Sequence, residues 1–157
     1  MFKGSLHAEV LLSPEGIQRV ELSIGKGTKE GLQWQIVGNG STRLRREVEQ
    51  WLEAYAAGGV SPTIPEVCLD AFSPFTQRVW VALQEIPFGQ AVTYSSLAQQ
   101  LGSPRASRAV GSACGRNPAP LFIPCHRVLA VGGKLGGFSC GLEIKRMLLA
   151  HERLPLS

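Results

Sequence analysis

The chain is short of the features that mark several large protein classes. No stretch of its 157 residues reaches the roughly 18 uninterrupted apolar residues of a membrane helix, so no membrane association is expected. The opening Met1-Phe2-Lys3-Gly4-Ser5 lacks the apolar core and cleavage site of a secretory signal. A cytoplasmic protein is expected, nucleoid-associated in a bacterium or archaeon and nuclear in a eukaryote. Histidine is scarce (His7, His126, His151), and the four cysteines (Cys68, Cys114, Cys125, Cys140) form no CxxC pair and no zinc-ligand spacing. Reduced thiols, no metal and no cofactor are expected. Charged residues make up 18% of the chain against 44% apolar, which excludes intrinsic disorder and leaves room for a real core without disulfides.

Acidic residues are scarcest in the last third. Residues 1–100 hold eight basic and ten acidic side chains, whereas residues 101–157 hold eight basic and two acidic, Glu143 and Glu152. A basic field of this kind suits a polyanion, because each neutralised phosphate releases condensed counterions. A solvated basic face explains the charge equally well.

Short alternating or apolar runs at 6–12, 17–24 and 31–37, separated by Pro14-Glu15-Gly16 and Gly25-Lys26-Gly27, predict an antiparallel strand meander. From Ser41 the period becomes helical: Leu44, Val48, Trp51, Leu52 and Tyr55 share a face and Gly58-Gly59 ends the run. This helix is expected to cover the sheet. Ser61-Pro62-Thr63-Ile64-Pro65 reads as a linker, dividing the chain into domains 1–66 and 67–157. Ser73-Pro74 opens a helix through Phe75, Val79, Ala82, Leu83 and Ile86. Thr93 caps a short helix to Leu101, Gly102 closes it, and Ser103-Pro104 starts another to about Gly115, the outline of a helix-turn-helix. The fold class is α+β: a small N-terminal antiparallel sheet with one covering helix, then a mainly helical C-terminal domain.

The second of these helices carries Ala106, Ala109, Gly111, Ser112, Ala113 and Gly115. Such small side chains have little reach for reading base edges in a deep major groove and suit close backbone approach to a minor groove. Tight helix packing is the plain alternative.

Ile123-Pro124-Cys125-His126-Arg127-Val128 sets a thiol beside an imidazole. A cysteine becomes nucleophilic where a cation, helix terminus or base favours its thiolate, and His126 and Arg127 are candidates for that field. Sequence neighbours diverge in direction, so a bridging water between Cys125 and His126 fits better than direct contact, with a carboxylate behind the imidazole. A final helix carries Leu142, Ile144, Leu148 and Leu149, with Glu143 in its first turn and Glu152 in its last. Acid is ordinary at a helix start and unfavourable at its end, which singles out Glu152.

Pro124-Cys125-His126-Arg127-Val128, preceded by Arg108-Ala109-Val110-Gly111 and Asn117-Pro118 and followed by Gly141-Leu142 and Leu148-Leu149-Ala150-His151-Glu152, resembles the O6-alkylguanine-DNA alkyltransferase family over about residues 70–155. The resemblance implies a suicidal, single-turnover repair protein that binds duplex DNA in the minor groove, flips the lesion out and takes the alkyl group irreversibly onto Cys125. O6-alkylguanine would be the substrate, with O4-alkylthymine left open, and the protein a monomer. By position, His126 would act on Cys125 through water, Glu152 would hold His126, Asn117 would brace the preceding turn, and Tyr94 would offer its hydroxyl to the leaving guanine. Arg108 would fill the gap in the duplex, with Ala109, Gly111, Ser112, Ala113 and Arg116 also facing DNA. The carbonyls of Cys125 and Val128 and the amides near Ser139 would grip the base, Pro120 would line the pocket, and Phe138 and Cys140 would stand at its rim, where some members carry tyrosine and the family often carries glycine. The rival readings are a non-catalytic helix-turn-helix regulator, an alkyltransferase-like protein that binds lesions without transfer, and a cysteine hydrolase built on Cys125 and His126.

Overall fold

A computed structural model describes residues 2–155. Three strands, β1 (Ser5–Ser13), β2 (Gly16–Ile24) and β3 (Gly31–Gly38), form a sheet of order β2-β1-β3, followed by helix α1 (Thr42–Ala56). Along β1, Leu6, Ala8, Val10 and Leu12 are buried, the period-two pattern of a strand with one face on the core.

The expected meander is corrected in one respect: β2 is antiparallel to β1, but β3 pairs parallel to β1, on its other side. The outer edge of β2 is already engaged. Ile17 donates its N–H to the Glu66 carbonyl at 2.8 Å and accepts from Cys68 at 2.9 Å, and Val20 donates to Pro118 at 2.8 Å. The chain therefore crosses beneath the start of β1, where Gly25 bonds the Ser5 carbonyl and Gly31 that of Gly4. Gly25 packs closely at the crossing: a Cβ there would stand 2.0 Å from Ser5 Oγ and 2.9 Å from Ser5 Cβ, so a side chain would force Ser5 to shift.

Helix α1 starts where Ser41 Oγ accepts from the Leu44 N–H at 3.0 Å, a side-chain N-cap. It buries Leu44, Val48, Trp51, Leu52 and Tyr55, the face expected from the sequence. Trp34 is only half-buried and donates its indole N–H to Glu49 on α1 at 3.1 Å, so it clamps helix to sheet rather than filling the core.

The second half comprises α2 (Pro74–Gln84), the two-residue β4 (Val92–Thr93), α3 (Tyr94–Gln100), α4 (Ser107–Gly115), β5 (Val128–Leu129) and α5 (Leu142–His151). Thr93 caps α3 in a reciprocal capping box with Ser96. Gly102 turns the chain at φ +73°. Helix α4 begins at Ser107 rather than Ser103, because Ala106 donates its N–H to the Ser103 carbonyl and closes a turn around Pro104. Trp80 of α2 is fully buried and donates its indole N–H to the Ala113 carbonyl of α4 at 2.9 Å. Buried apolar residues from both halves join in one core, and each large side chain so buried contributes about 1.5–3 kcal/mol.

Two contacts position the site. Parallel pairing of Val92 with Val128 and Thr93 with Leu129 sets Tyr94, the next residue, beside the 3-10 turn Cys125–Arg127. Helix α5 packs on the same turn and delivers Glu152 at its end. Among the described residues, no helix is long and apolar enough to cross a membrane.

Candidate active site

Cys125 lies on a turn whose backbone has unusual needs. Leu121 adopts φ +81°, a region that non-glycine residues enter at a cost of about 1–3 kcal/mol. Asn117 compensates: its amide nitrogen donates to the Ile123 carbonyl at 2.7 Å and its oxygen accepts from the Ala119 N–H at 2.9 Å. The same nitrogen donates to Cys125 Sγ at 3.0 Å. Cys125 is 3% exposed, and burial pushes its thiol up to about 12, with the Asn117 hydrogen bond and the more distant Lys145 charge opposing that rise. The resting group is a thiol, so nucleophilic attack requires a base.

His126, next in the chain, is fully buried. Its Nε2 lies 2.7 Å from Glu152 Oε1. An ionised carboxylate only accepts, so Nε2 carries the proton and Nδ1 keeps the basic lone pair. Among the described residues, no group hydrogen-bonds Nδ1. Burial lowers the pKa of His126 despite the opposing pull of Glu152, leaving the imidazole neutral at neutral pH.

The standing cation opposite Glu152 is therefore Arg127. Its guanidinium donates through Nε to Oε2 and through a terminal nitrogen to Oε1, both at 2.9 Å, and caps the Ile86 carbonyl at 2.7 Å. Arg127 thus serves the carboxylate, not the thiol as one sequence reading allowed. The Tyr55 hydroxyl donates to Oε1 at 2.9 Å, and the Gly89 N–H to Oε2 at 3.3 Å. Burial pushes the Glu152 carboxyl up, but the bonds and charges of His126 and Arg127 outweigh it and hold the group at about 2.

Cys125 opens onto a cavity of about 410 Å³ whose walls include Tyr94, Arg108, Gly111, Cys114, Phe138 and Ser139. That volume lies within the range of small-molecule sites, about 300–1,000 Å³. The Tyr94 hydroxyl reaches the Gly137 carbonyl at 3.4 Å, and burial, with the nearby thiols, raises it to about 12, so it remains a proton donor. Gly136 closes under its ring: at φ +66° and with a would-be Cβ 3.0 Å from Tyr94 Cε2, a side chain there would be strained and would press on the Tyr94 ring. Lys145 of α5 is buried, donating to the carbonyls of Val128, Leu135 and Gly137, and so ties the pocket loop to the helix. Burial lowers its ammonium to about 8. A second cavity, of about 220 Å³, touches Tyr55 and Arg127 but is lined by no cysteine.

The DNA-binding domain of 6-O-methylguanine DNA methyltransferase matches residues 74–154 of the chain. The methylated-DNA–protein-cysteine methyltransferase of Methanosarcina acetivorans is 38% identical over 138 residues, 80% of this chain and 88% of that one. The chain belongs to the methylated-DNA–protein-cysteine methyltransferase family. The Mycolicibacterium paratuberculosis methyltransferase is 49% identical over 106 residues, 68% of this chain and 63% of the relative. A crystal structure of Mycobacterium tuberculosis OGT in complex with DNA superposes with a TM-score of 0.69 at 34% identity, covering 95% of both chains.

Within this methyltransferase fold, the structure gathers Cys125, His126, Glu152 and Asn117 in one buried cluster, with Tyr94 across the cavity. Arg108, Ala109, Ser112 and Arg116 are exposed on α4 and its C-cap, and Gly111 faces the cavity. Four expected positions are corrected. Ala113 is fully buried under Trp80 and cannot face DNA. Pro120 is buried away from the cavity walls. Val128 is buried in β5 and is not among the residues lining the cavity, and its carbonyl accepts from Lys145. Cys140 is half-buried and is not among the residues lining the cavity, although Ser139 beside it is. Sequence reasoning missed Lys145, although a lysine between Ile144 and Leu149 on a buried helical stripe signals a cation with partners. Cys114, which the sequence marked only as a reduced thiol, is both buried and on the cavity wall.

Proposed function

We propose that the protein repairs DNA by transferring the alkyl group of O6-alkylguanine, stoichiometrically and irreversibly, to its own Cys125. The observation that carries this reading is the Asn117-bound Cys125 thiol on the cavity wall, followed in the chain by an imidazole that Glu152 fixes with its basic nitrogen free. A thiol held near 12 needs that base. The Cys125 proton passes through a bridging water to His126 Nδ1, sulfur bonds to the alkyl carbon, and guanine leaves with the electron pair of the O6–carbon bond. Tyr94 donates the proton that makes guanine a good leaving group. The thioether product has no easy hydrolytic exit, so one molecule repairs one lesion.

Reaching the lesion requires taking the base out of the stack at a cost of a few kcal/mol, least for a damaged pair. The α3–α4 helix-turn-helix supports that step: Arg108 stands at the cavity mouth, and the exposed face of α4 is otherwise Ala109, Ser112 and Gly115, small enough to approach a minor groove. Of the eight basic residues after position 100, Arg127 and Lys145 are buried, leaving Arg105, Arg108, Arg116, Lys134, Arg146 and Arg153 exposed for phosphate. We read residues 1–66 and 67–157 as two domains, and the protein as a cytoplasmic monomer acting on duplex DNA that contains alkylated guanine. Methyl transfer from a labelled duplex is the test: wild type saturates at one methyl per protein and Cys125→Ala takes up none. Repeated turnover, or equal uptake by both proteins, would sink the mechanism, and tight lesion binding with no uptake would favour the binding-only alternative.

A further inference from the structure

Glu152 sits one residue past the end of α5, at the C-cap, where the helix dipole disfavours a carboxylate. It is held there by donors, and one of them comes from the far half of the chain. Tyr55, 97 residues away in sequence, donates its hydroxyl to Oε1 at 2.9 Å, the oxygen that also binds His126 Nε2. We propose that Tyr55 is a positioning residue for alkyl transfer: its hydroxyl fixes the Glu152 carboxylate in the orientation that keeps the basic nitrogen of His126 toward Cys125. The inference rests on the reading of Cys125 as acceptor and His126 as base.

Tyr55 is gripped at both ends by consecutive residues. Glu152 accepts from its hydroxyl, and His151 Nε2–H donates to its backbone carbonyl at 2.6 Å. Its ring stacks on Trp51 at 5.3 Å, meets the edge of Phe88 at 5.7 Å and packs against His151 at 5.0 Å. A side chain so confined places its hydroxyl without further loss of rotamer freedom. Burial and the adjacent carboxylate keep the phenol protonated, so it only donates toward Oε1.

The sharing of Oε1 has a chemical consequence. The hydroxyl draws charge from the oxygen that holds the Nε2 proton, and so restrains the basicity of Nδ1. Its loss has two effects: the carboxylate gains freedom to turn, lowering the rate, and the imidazole becomes more basic, moving its titration up. The other titratable or charged groups facing this cluster are Arg127 of the 3-10 turn and Lys145 and His151 of α5, all retained in a Tyr55 variant.

The test is full-length Tyr55→Phe, which keeps the ring contacts, assayed by rapid-quench methyl transfer from an O6-methylguanine duplex across the pH range. A hydrogen bond to a charged group is lost, so the plateau rate constant falls about tenfold, and the acid limb moves to higher pH. A lower melting temperature with unchanged plateau and unchanged pH profile would show that the hydroxyl only joins the two halves, and would overturn the proposal. Should Tyr55→Phe fail to fold, 3-fluorotyrosine at position 55 keeps ring and hydroxyl while strengthening donation. The acid limb then moves to lower pH, and an unmoved limb overturns the proposal. Wild-type protein that leaves Cys125 unalkylated in the same assay defeats the underlying reading instead.

Discussion

Replacing Arg127 by methionine isolates the cation on which the buried Glu152 depends. Methionine approximates the aliphatic stem, so the change removes charge and donors more than volume. The lost bonds are those to both Glu152 oxygens and to the Ile86 carbonyl. Glu152 is 2% exposed, and stripping the partner from a buried ion pair costs about 3–5 kcal/mol. The orphaned Ile86 carbonyl adds to this, while proton uptake by His126 offsets part of it by supplying a substitute cation. A net loss of about 3–4 kcal/mol follows, or about 6–16 °C in Tm at about 2–4 °C per kcal/mol for a chain of this size. Urea unfolding of wild type, Arg127→Met, Glu152→Gln and the double variant measures it. The double variant is expected to be more stable than the sum of the single losses, because no buried charge is left unpaired. A loss under about 1 kcal/mol in Arg127→Met, or strict additivity in the cycle, would refute the assignment of Arg127 as the counter-charge.

Stability should also fall in acid with a defined sign. Glu152 is held at about 2 against an ordinary 4.5, so it contributes about 3 kcal/mol that is fully present above pH 4.5 and lost as pH falls toward 2; Glu152→Gln should flatten that limb in pH-dependent unfolding. The lowered pKa values of His126 and His151 act in the same sense from their ordinary value of 6.5 downward, since the unfolded chain takes up protons there first. Asn117→Ala, which removes the donor to Cys125 and both braces of the turn, should destabilise by about 2 kcal/mol and slow alkylation at neutral pH; an unchanged rate would contradict the role of Asn117. In native thiol labelling read by peptide mass, the half-exposed Cys68 and Cys140 should react before the buried Cys114 and Cys125, and early labelling of Cys125 would contradict its burial.

Much of the fold was legible because local signals agreed. Ser41, Ser73 and Thr93 each cap the helix expected after them, and Leu44, Val48, Trp51, Leu52 and Tyr55 bury the face their spacing defines. The direction of β3 was not legible, because it depends on residues 66–68 and Pro118 occupying the outer edge of β2. In the site, the anomaly of an acid at a helix end picked out Glu152, and Asn117 does brace the turn before Cys125. The partnership of Tyr55 with Glu152 left no local trace: a tyrosine on an apolar helical face reads as core, and only the packing of the two halves shows where its hydroxyl goes. Arg127 likewise turned away from the thiol, since neighbours on a 3-10 turn point in different directions.

The most direct measurement is intact mass and peptide mapping after incubation with a duplex carrying a single O6-methylguanine. The account predicts one added methyl, on the peptide containing Cys125, with the duplex restored to guanine and no further uptake when more substrate is supplied. A methyl found on Cys114 or Cys140 instead, or a repaired duplex beside unmodified protein, would contradict it.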